Sequence, residues 1–305
     1  MSASKITLNI LVGTMVAIWC GNFLVLKVCL REMPAIGLSA FRVIGAALIL
    51  LPILLLSRSR HGFRGLGATD YLIFCKLAVL GLILNQTLFI AGLQHSTAAH
   101  TAIVVTFGPL FTVLFAWFRK QESLSPRRLL GMLVSMCGIV LLNFDDHFAL
   151  QKGYLLGDLL TLTGSMAFAY YTVLSKSAVA SYGPVRATAL TYIAGAILFL
   201  PVGLPIIASA NWSGMKWTTT VAFVYVAVVS SVLAPLIFYY ALRRMSASSL
   251  ASLTYLQPVV TTIASVMLLS ERLEINFVTG AALVMIGVVL SRQRSERLQS
   301  AEVRG

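Results

Sequence analysis

Charged residues are scarce in this chain of 305 residues. Asp, Glu, Lys and Arg together make up 11% of the sequence, whereas a soluble domain contains roughly 25%. Hydrophobic residues make up 58%, and the mean hydropathy is +0.90. This composition excludes an ordinary soluble domain and predicts a protein that lies in a lipid bilayer.

Cysteines are also few, and their spacing does not pair them. Four cysteines, Cys20, Cys29, Cys75 and Cys137, fall in or near separate apolar stretches, and this spacing suggests neither a disulfide framework nor a zinc site. No phosphate-binding loop of the form G-x-x-x-x-G-K-[ST] occurs, so ATP hydrolysis is not expected to supply energy. We therefore expect no catalytic residues, no metal and no cofactor, and no enzyme activity.

Apolar stretches long enough to cross a bilayer recur along the chain. About 20 helical residues span a hydrocarbon core of roughly 30 Å. Continuous apolar runs do not alternate as the strands of a transmembrane β-barrel do. The sequence therefore predicts an all-α membrane protein with ten transmembrane helices, at 7–26, 36–57, 71–92, 98–118, 127–143, 154–174, 186–208, 217–241, 247–269 and 275–291.

An internal repeat relates the two halves of the chain. Residues 71–142 align without a gap on residues 220–291, at a shift of 149 positions that pairs Pro109 with Pro258. Membrane proteins built from two similar halves are most often transporters. The predicted units are a first repeat at 1–146, a second repeat at 150–291 and a basic cytoplasmic tail at 292–305.

The basic residues predict the orientation of the chain. If the N-terminus is cytoplasmic, the inside segments hold sixteen Lys and Arg residues and the outside segments hold five, which satisfies the positive-inside bias. Because each repeat has five helices, the second enters the membrane from the opposite side. We therefore expect inverted repeats, both termini in the cytoplasm and a multi-pass location in the bacterial inner membrane. The net charge of +13 then needs no nucleic-acid partner.

Short motifs are shared with a known family. The first helix carries Trp19-Cys20-Gly21-Asn22-Phe23 with Lys27, and the second carries Phe41-Arg42. Each half ends with a motif of one Glu, one Leu and two Gly residues, which begins at Glu122 in the first half and at Glu271 in the second. These features resemble the EamA domains of the drug/metabolite transporter superfamily. The resemblance implies a transporter of two five-helix halves, and its members carry amino acids, other metabolites, drugs or nucleotide sugars.

Polar side chains inside the predicted spans are the first candidates for a substrate site, because such groups are costly in a bilayer and usually face a cavity or a partner. Arg42 either snorkels to the membrane surface or attracts an anionic group of the substrate. His100 is either a packing residue or a proton carrier. The polar candidates are Asn22, Arg42, Asn85, Gln86, His100 and Gln257.

Aromatic side chains supply the remaining candidates. Tyrosines at membrane boundaries form an interfacial belt, but Tyr170, Tyr171 and Tyr255 lie too deep in their spans for that role. A cavity with aromatic walls would accept a flat or partly apolar substrate. The aromatic candidates are Trp19, Tyr170, Tyr171, Tyr239 and Tyr255.

These features predict a secondary transporter that exports a small organic metabolite, with amino acids among the candidates, by alternating access. A nucleotide-sugar or organophosphate antiporter is the alternative, although only Arg42 and Lys76 would supply cations inside the membrane. An intramembrane enzyme or a scaffold is a different class.

Asp158 is the one carboxylate inside a predicted span, so no carboxylate proton relay is expected. The partners are the bilayer and a small molecule, in a monomer or homodimer.

A reporter fused after Gly305 tests the predicted orientation. Alkaline phosphatase, which is active only outside the cytoplasm, should be inactive at this position, and a fluorescent protein that folds only in the cytoplasm should be bright. The matched control is a fusion after His147, in a predicted outside loop, which should give the opposite pattern. Phosphatase activity at the C-terminus would contradict the topology.

Overall fold

A computed structural model gives the fold, and it describes residues 3–56, 65–121, 125–142, 152–252, 257–269 and 275–291. This part of the chain forms helices joined by short connections. In chain order the helices are α1 (Ala3–Cys29), α2 (Ala35–Leu56), α3 (Ala68–Gln94), α4 (Ala98–Phe118), α5 (Pro126–Leu142), α6 (Lys152–Tyr182), α7 (Pro184–Ala208), α8 (Trp217–Leu242), α9 (Ala247–Ser252), α10 (Gln257–Leu269) and α11 (Ile275–Ser291).

Six of these helices are long and apolar enough to cross a membrane, namely α1, α2, α3, α4, α7 and α8. Large apolar side chains such as Leu48, Leu56 and Ile197 are exposed on them. In water such faces would be unfavourable, so they are the surfaces that contact lipid. α5 and α11 contain shorter apolar stretches, and α6 has 31 residues. The number of ten spans stays a prediction.

Three helices are interrupted near their middles. α3 contains a π-helical segment at Val79–Leu84, and α8 contains one at Tyr225–Leu233. α4 is divided at Thr106 into Ala98–Val105 and Phe107–Phe118. π-Helical turns inside α-helices are rare and frequently lie at functional sites.

Glycines bring α5 and α11 into close contact. A methyl group added at Gly138 would lie 2.7 Å from the carbonyl oxygen of Gly280, and one added at Gly287 would lie 2.4 Å from that of Gly131. Residues without a side chain allow two helix backbones to approach this closely in a membrane. Gly131, Gly138, Gly280 and Gly287 therefore lie at the contact between α5 and α11.

Equivalent contacts recur in the two halves at the repeat's shift of 149 positions. Lys27 in α1 donates a hydrogen bond to the carbonyl oxygen of Ser96, between α3 and α4. Lys176 in α6 donates to the carbonyl oxygen of Met245, between α8 and α9. The π-helical segments of α3 and α8 also end 149 residues apart. The offset seen in the sequence is therefore present in the contacts.

The connection between α3 and α4 and the connection between α8 and α9, which accept these lysine hydrogen bonds, contact α6 near its opposite ends. The Ser96 hydroxyl donates to an oxygen of Asp158 at 3.0 Å, near the start of α6, whereas Lys176 lies near its end. Asp158 and Lys176 are 18 residues apart, or roughly 27 Å at 1.5 Å per residue. That length is close to the thickness of a hydrocarbon core, so the equivalent contacts lie at the two ends of the bundle.

Replacing Gly287 by Ala should destabilise the contact between α5 and α11. The added methyl group would lie 2.4 Å from the Gly131 carbonyl oxygen and 2.5 Å from the Ser135 nitrogen, so the helices must separate. Overpacking of this kind costs roughly 1–3 kcal/mol. Thermal unfolding of the purified protein in detergent measures the change.

The matched control for Gly287→Ala is Gly13→Ala. Nothing lies within 4 Å of a methyl group added at Gly13, and Ala is the better helix former. This variant should unfold at the wild-type temperature or above it. A larger loss of stability in Gly13→Ala than in Gly287→Ala would contradict the described packing.

Candidate functional site

A cavity of about 150 Å³ lies in the interior of the bundle. Residues of both halves line it, from α1 to α4 and from α6 to α10. Its lining residues on α6 run from Ser165 to Thr172, midway between Asp158 and Lys176. The cavity therefore lies near the middle of the bundle, between the two end connections.

Lining residues of the first half pair with lining residues of the second half. Most pairs have the repeat's shift of 149 positions, and Arg42 pairs with Tyr192 at the shift of 150 that also relates Pro34 to Pro184. The pairs that line the cavity are Trp19/Phe168, Asn22/Tyr171, Phe23/Thr172, Arg42/Tyr192, Gly81/Ser230, Gln86/Pro235, Phe89/Phe238 and Gly108/Gln257.

The structure brings most of the sequence-predicted binding residues to this cavity. Those that line it are Trp19, Asn22, Arg42, Asn85, Gln86, Tyr171 and Gln257. His100, Tyr170 and Tyr239 lie elsewhere in the bundle. Tyr255 lies outside the described residues.

Arg42 carries its charge to the cavity and is only 5% exposed. Its Nε donates to the hydroxyl of Ser231 at 3.1 Å, and its Nη2 donates to that of Ser230 at 3.1 Å. Each serine hydroxyl donates its own hydrogen bond to another group. Ser230 donates to Asn22 Oδ1 at 2.8 Å, and Ser231 donates to the Val226 carbonyl oxygen at 2.7 Å. Both hydroxyls therefore present lone pairs to the guanidinium.

The π-helical segments shape both sides of the site. The bond from Ser231 to Val226 spans five residues, and this spacing matches the wider turn of a π-helix. On the opposite side, a methyl group added at Gly81 would lie 2.4 Å from the ring of Tyr171. Glycine at this position lets the ring lie directly against the backbone of α3.

Arg42 has no carboxylate partner among the described residues. Among these residues, His100 Nδ1 lies 3.5 Å from Asp158 Oδ2 at one end of the bundle, and the residues that line the cavity include neither Asp nor Glu. The described part of the chain contains no group of three or more His, Cys, Asp and Glu side chains that could hold a metal. Arg42 therefore gives the cavity a positive charge held by hydroxyl groups alone.

Gln86 presents a hydrogen-bond acceptor beside that charge. Its side chain is 7% exposed, and within the described structure its Oε1 has no hydrogen-bond partner. Gln86, Tyr192 and Arg42 all line this cavity. A buried acceptor without a partner is unfavourable, and a ligand with an N–H or O–H group would satisfy it.

Aromatic rings from three helices form one wall of the cavity. The ring of Trp19 lies 6.1 Å from that of Phe168, edge to face, and 5.8 Å from that of Phe238, measured between centroids. The Phe168 ring is 5.6 Å from the Tyr171 ring. Aromatic rings prefer offset and edge-to-face arrangements of this kind, so these rings pack together as one apolar wall.

Tyr239 lies behind this wall and is fully buried. Its hydroxyl accepts a hydrogen bond from that of Tyr171 at 2.8 Å and lies 3.3 Å from the Ser175 hydroxyl and 3.4 Å from the Thr191 hydroxyl. Tyr239 thus fixes the position of Tyr171, which itself lines the cavity.

The two other candidates outside the cavity have structural contacts. The ring of Tyr170 packs 5.1 Å from that of Phe115 in α4. His100 contacts Asp158, and its ring lies 4.8 Å from that of Tyr154. Asp158, at the start of α6, is therefore engaged by neighbouring polar groups at one end of the bundle.

Sequence reasoning missed several residues of the site. Tyr192 is the ninth residue of α7, and the depth criterion that selected Tyr171 would have selected it too. Ser230 and Ser231 form a polar pair inside a predicted span, which is also a usable signal. Phe168 carries no such signal, because an aromatic residue in an apolar helix resembles any packing residue.

The sequence of this chain matches a known protein family in both of its halves. The model of the EamA-like transporter family matches residues 7–144 and again residues 155–293. An uncharacterized transporter of Archaeoglobus fulgidus is 26% identical over 290 residues, which cover 95% of this chain and 98% of that protein. The uncharacterized inner membrane transporter YedA of Escherichia coli is 26% identical over 255 residues, with 80% and 76% covered.

One solved crystal structure has the same fold. It superposes with a TM-score of 0.65 at 18% identity and covers 98% of this chain and 99% of its own. At that identity the likeness concerns the fold alone.

Replacing Arg42 by Met should raise the thermal stability of the ligand-free protein. Methionine fills a similar volume without a charge, and Ser230 and Ser231 keep the acceptors of their own protons. Exchanging buried charged groups for apolar ones of similar volume stabilises by up to roughly 1–4 kcal/mol. Arg243→Met, at an exposed arginine, should change stability by less than about 0.5 kcal/mol. Lower stability in Arg42→Met alone would give Arg42 a structural role.

Proposed function

Because the chain belongs to the EamA-like transporter family, we propose that it is a secondary transporter that exports a small organic metabolite by alternating access. The observation that carries the proposal is a cavity at the middle of the bundle with paired lining residues from both halves. Substrate sites of inverted-repeat transporters lie at the midplane between the repeats. The polar groups of Asn22, Arg42 and Gln86 at that depth would be costly without a ligand to bind.

The two halves, 1–146 and 150–291, would be inverted five-helix repeats that give ten transmembrane helices. The double match of the family model supports this arrangement. So do the lysine contacts of Lys27 and Lys176, which are equivalent in sequence and lie at opposite ends of α6. The distribution of basic loop residues then favours cytoplasmic termini in the bacterial inner membrane.

Helix interruptions around the cavity would let the ends of the helices move. The π-helical segments of α3 and α8 border the cavity, and so does Pro109, three residues after the break of α4 at Thr106. Proline removes a backbone hydrogen bond and weakens the turn before it. Bending at these points would open one end while the other stays closed.

The alternative of a nucleotide-sugar or organophosphate antiporter fits this cavity less well. Lys76, the second cation expected inside the membrane, is exposed and does not line the cavity. Arg42 alone among the described lining residues could bind phosphate.

An intramembrane enzyme or a scaffold is also a weaker hypothesis. Catalysis needs a nucleophile or metal beside a base, and the described cavity lining holds no His, Cys, Asp or Glu. A scaffold has no need of a polar cavity. We also propose that transport proceeds without a carboxylate proton relay. Asp158 does not line the cavity, and it lies near the start of α6, where it contacts Ser96 and His100.

Single cysteines test alternating access. In a chain without its four native cysteines, Asn22→Cys, Gln86→Cys, Tyr171→Cys and Tyr255→Cys should each react with a small water-soluble thiol reagent. Labelling should occur when the reagent is added to either side of the membrane, because the cavity opens to each side in turn. The measurement is the labelled fraction in right-side-out and inside-out vesicles.

Met15→Cys is the matched control for these variants. Met15 is completely buried and does not line the cavity, so its replacement should remain unlabelled from both sides. Labelling of all four substituted cysteines from one side only would contradict alternating access. Absence of labelling from both sides would contradict a substrate cavity.

A further inference from the structure

We infer that the substrate is an organic monoanion, a carboxylate carried by one flat apolar ring with a hydrogen-bond donor beside the carboxylate. This inference rests on the proposed transport function and specifies the substrate class of the same cavity. It combines the unpaired Arg42, the open acceptor of Gln86, the aromatic wall and the small volume of the cavity.

The charge of the cavity favours a monoanion. Arg42 uses two of its N–H groups on Ser230 and Ser231, and a guanidinium has five. The remaining three can bind a carboxylate through two parallel hydrogen bonds. A bound monoanion therefore neutralises the one formal charge that the described lining residues carry.

Zwitterionic and cationic ligands are disfavoured by the same lining. The ammonium group of an amino acid would find no carboxylate among the described lining residues, so a charge would remain unpaired in a medium of low dielectric constant. An organic cation would add a second positive charge to that of Arg42. Both cases leave a net positive charge in the cavity, whereas a carboxylate leaves none.

Gln86 specifies a neutral donor next to the carboxylate. Gln86 lines the same small cavity as Arg42, and its buried Oε1 has no hydrogen-bond partner within the described structure, so a substrate bound to Arg42 through its carboxylate could donate to this oxygen from its α substituent. A hydroxyl group there satisfies the acceptor without adding charge. An α-hydroxy acid therefore matches the two polar groups together.

The apolar part of the substrate is limited by the aromatic wall and by the volume. The rings of Trp19, Phe168 and Phe238, which are tilted or edge-on to one another, present an apolar aromatic surface. A volume of about 150 Å³ corresponds to roughly one benzene-sized group. The substrate class is thus an aryl or similarly compact hydroxy acid.

Four compounds that share one phenyl skeleton test the inference. They are 3-phenyllactate, 3-phenylpropanoate, phenylalanine and phenethylamine, and each is added to the purified full-length protein while its melting temperature is recorded. Phenyllactate should bind at least tenfold more tightly than phenylalanine, phenylpropanoate should lie between them, and phenethylamine should give no shift. Equal or tighter binding of phenylalanine or phenethylamine would overturn the monoanion assignment, and so would the absence of a shift with both acids.

Substitutions assign these differences to particular side chains. Arg42→Gln should weaken phenyllactate at least tenfold, and Arg42→Lys should weaken it less because the positive charge remains. Gln86→Leu should remove the difference between phenyllactate and phenylpropanoate. The control Arg243→Gln, at an exposed arginine outside the cavity, should bind as the wild type does. Unchanged phenyllactate binding in Arg42→Gln would overturn the inference.

Counterflow in proteoliposomes separates this inference from the transport function. Exchange of phenyllactate supports both. Exchange of amino acids or nucleobases but of neither acid would keep the transport function and overturn the monoanion assignment. Tight binding of phenyllactate without exchange of any compound would keep the binding assignment and contradict transport.

Discussion

The positive charge of Arg42 lies inside an apolar helical bundle, where an unpaired charge is strongly unfavourable. The structure offsets that cost with hydroxyl groups from α8. Ser230 and Ser231 can accept from the guanidinium because each donates its own proton elsewhere, one to Asn22 in α1 and one to the backbone of α8. A single network therefore ties α1, α2 and α8 together at the depth of the cavity.

The π-helical segment of α8 is part of this network and also a weak point of the helix. The Ser231 hydroxyl bonds to the carbonyl oxygen five residues earlier, at the point where the regular backbone pattern is lost. α3 carries the same kind of segment at the equivalent position, where Gly81 receives the ring of Tyr171. The proposed substrate contacts and the proposed points of bending thus fall on the same residues, so binding at the cavity would act directly on the places where the helices would bend.

The sequence indicated well how deep each residue lies in the membrane, but it indicated poorly which side of its helix faces the cavity. Asn22 and Arg42 were visible because a polar residue in an apolar helix is exceptional. Tyr170 and Tyr239 lie at the depth of the cavity but face other helices, while their neighbours Tyr171 and Phe238 line it. Since lipid and protein interior are equally apolar, a membrane helix shows no polar face that would indicate which way each residue points. The helical fold followed from apolar length and repetition, and the family followed from short motifs, so both could be read from the sequence.

Divergence between the halves explains why a duplicated fold can hold a site with one charge. Positions that pair across the repeat both line the cavity, but they differ in chemistry, with Arg42 matched by Tyr192 and Asn22 matched by Tyr171. If both halves had kept an arginine, the cavity would carry two charges and would favour a dianion. One arginine opposed by tyrosines gives the cavity a charged side and an aromatic side. A substrate with one carboxylate and one ring would bind there in a single orientation, because turning it round would bury the carboxylate against the aromatic wall and leave Arg42 unpaired.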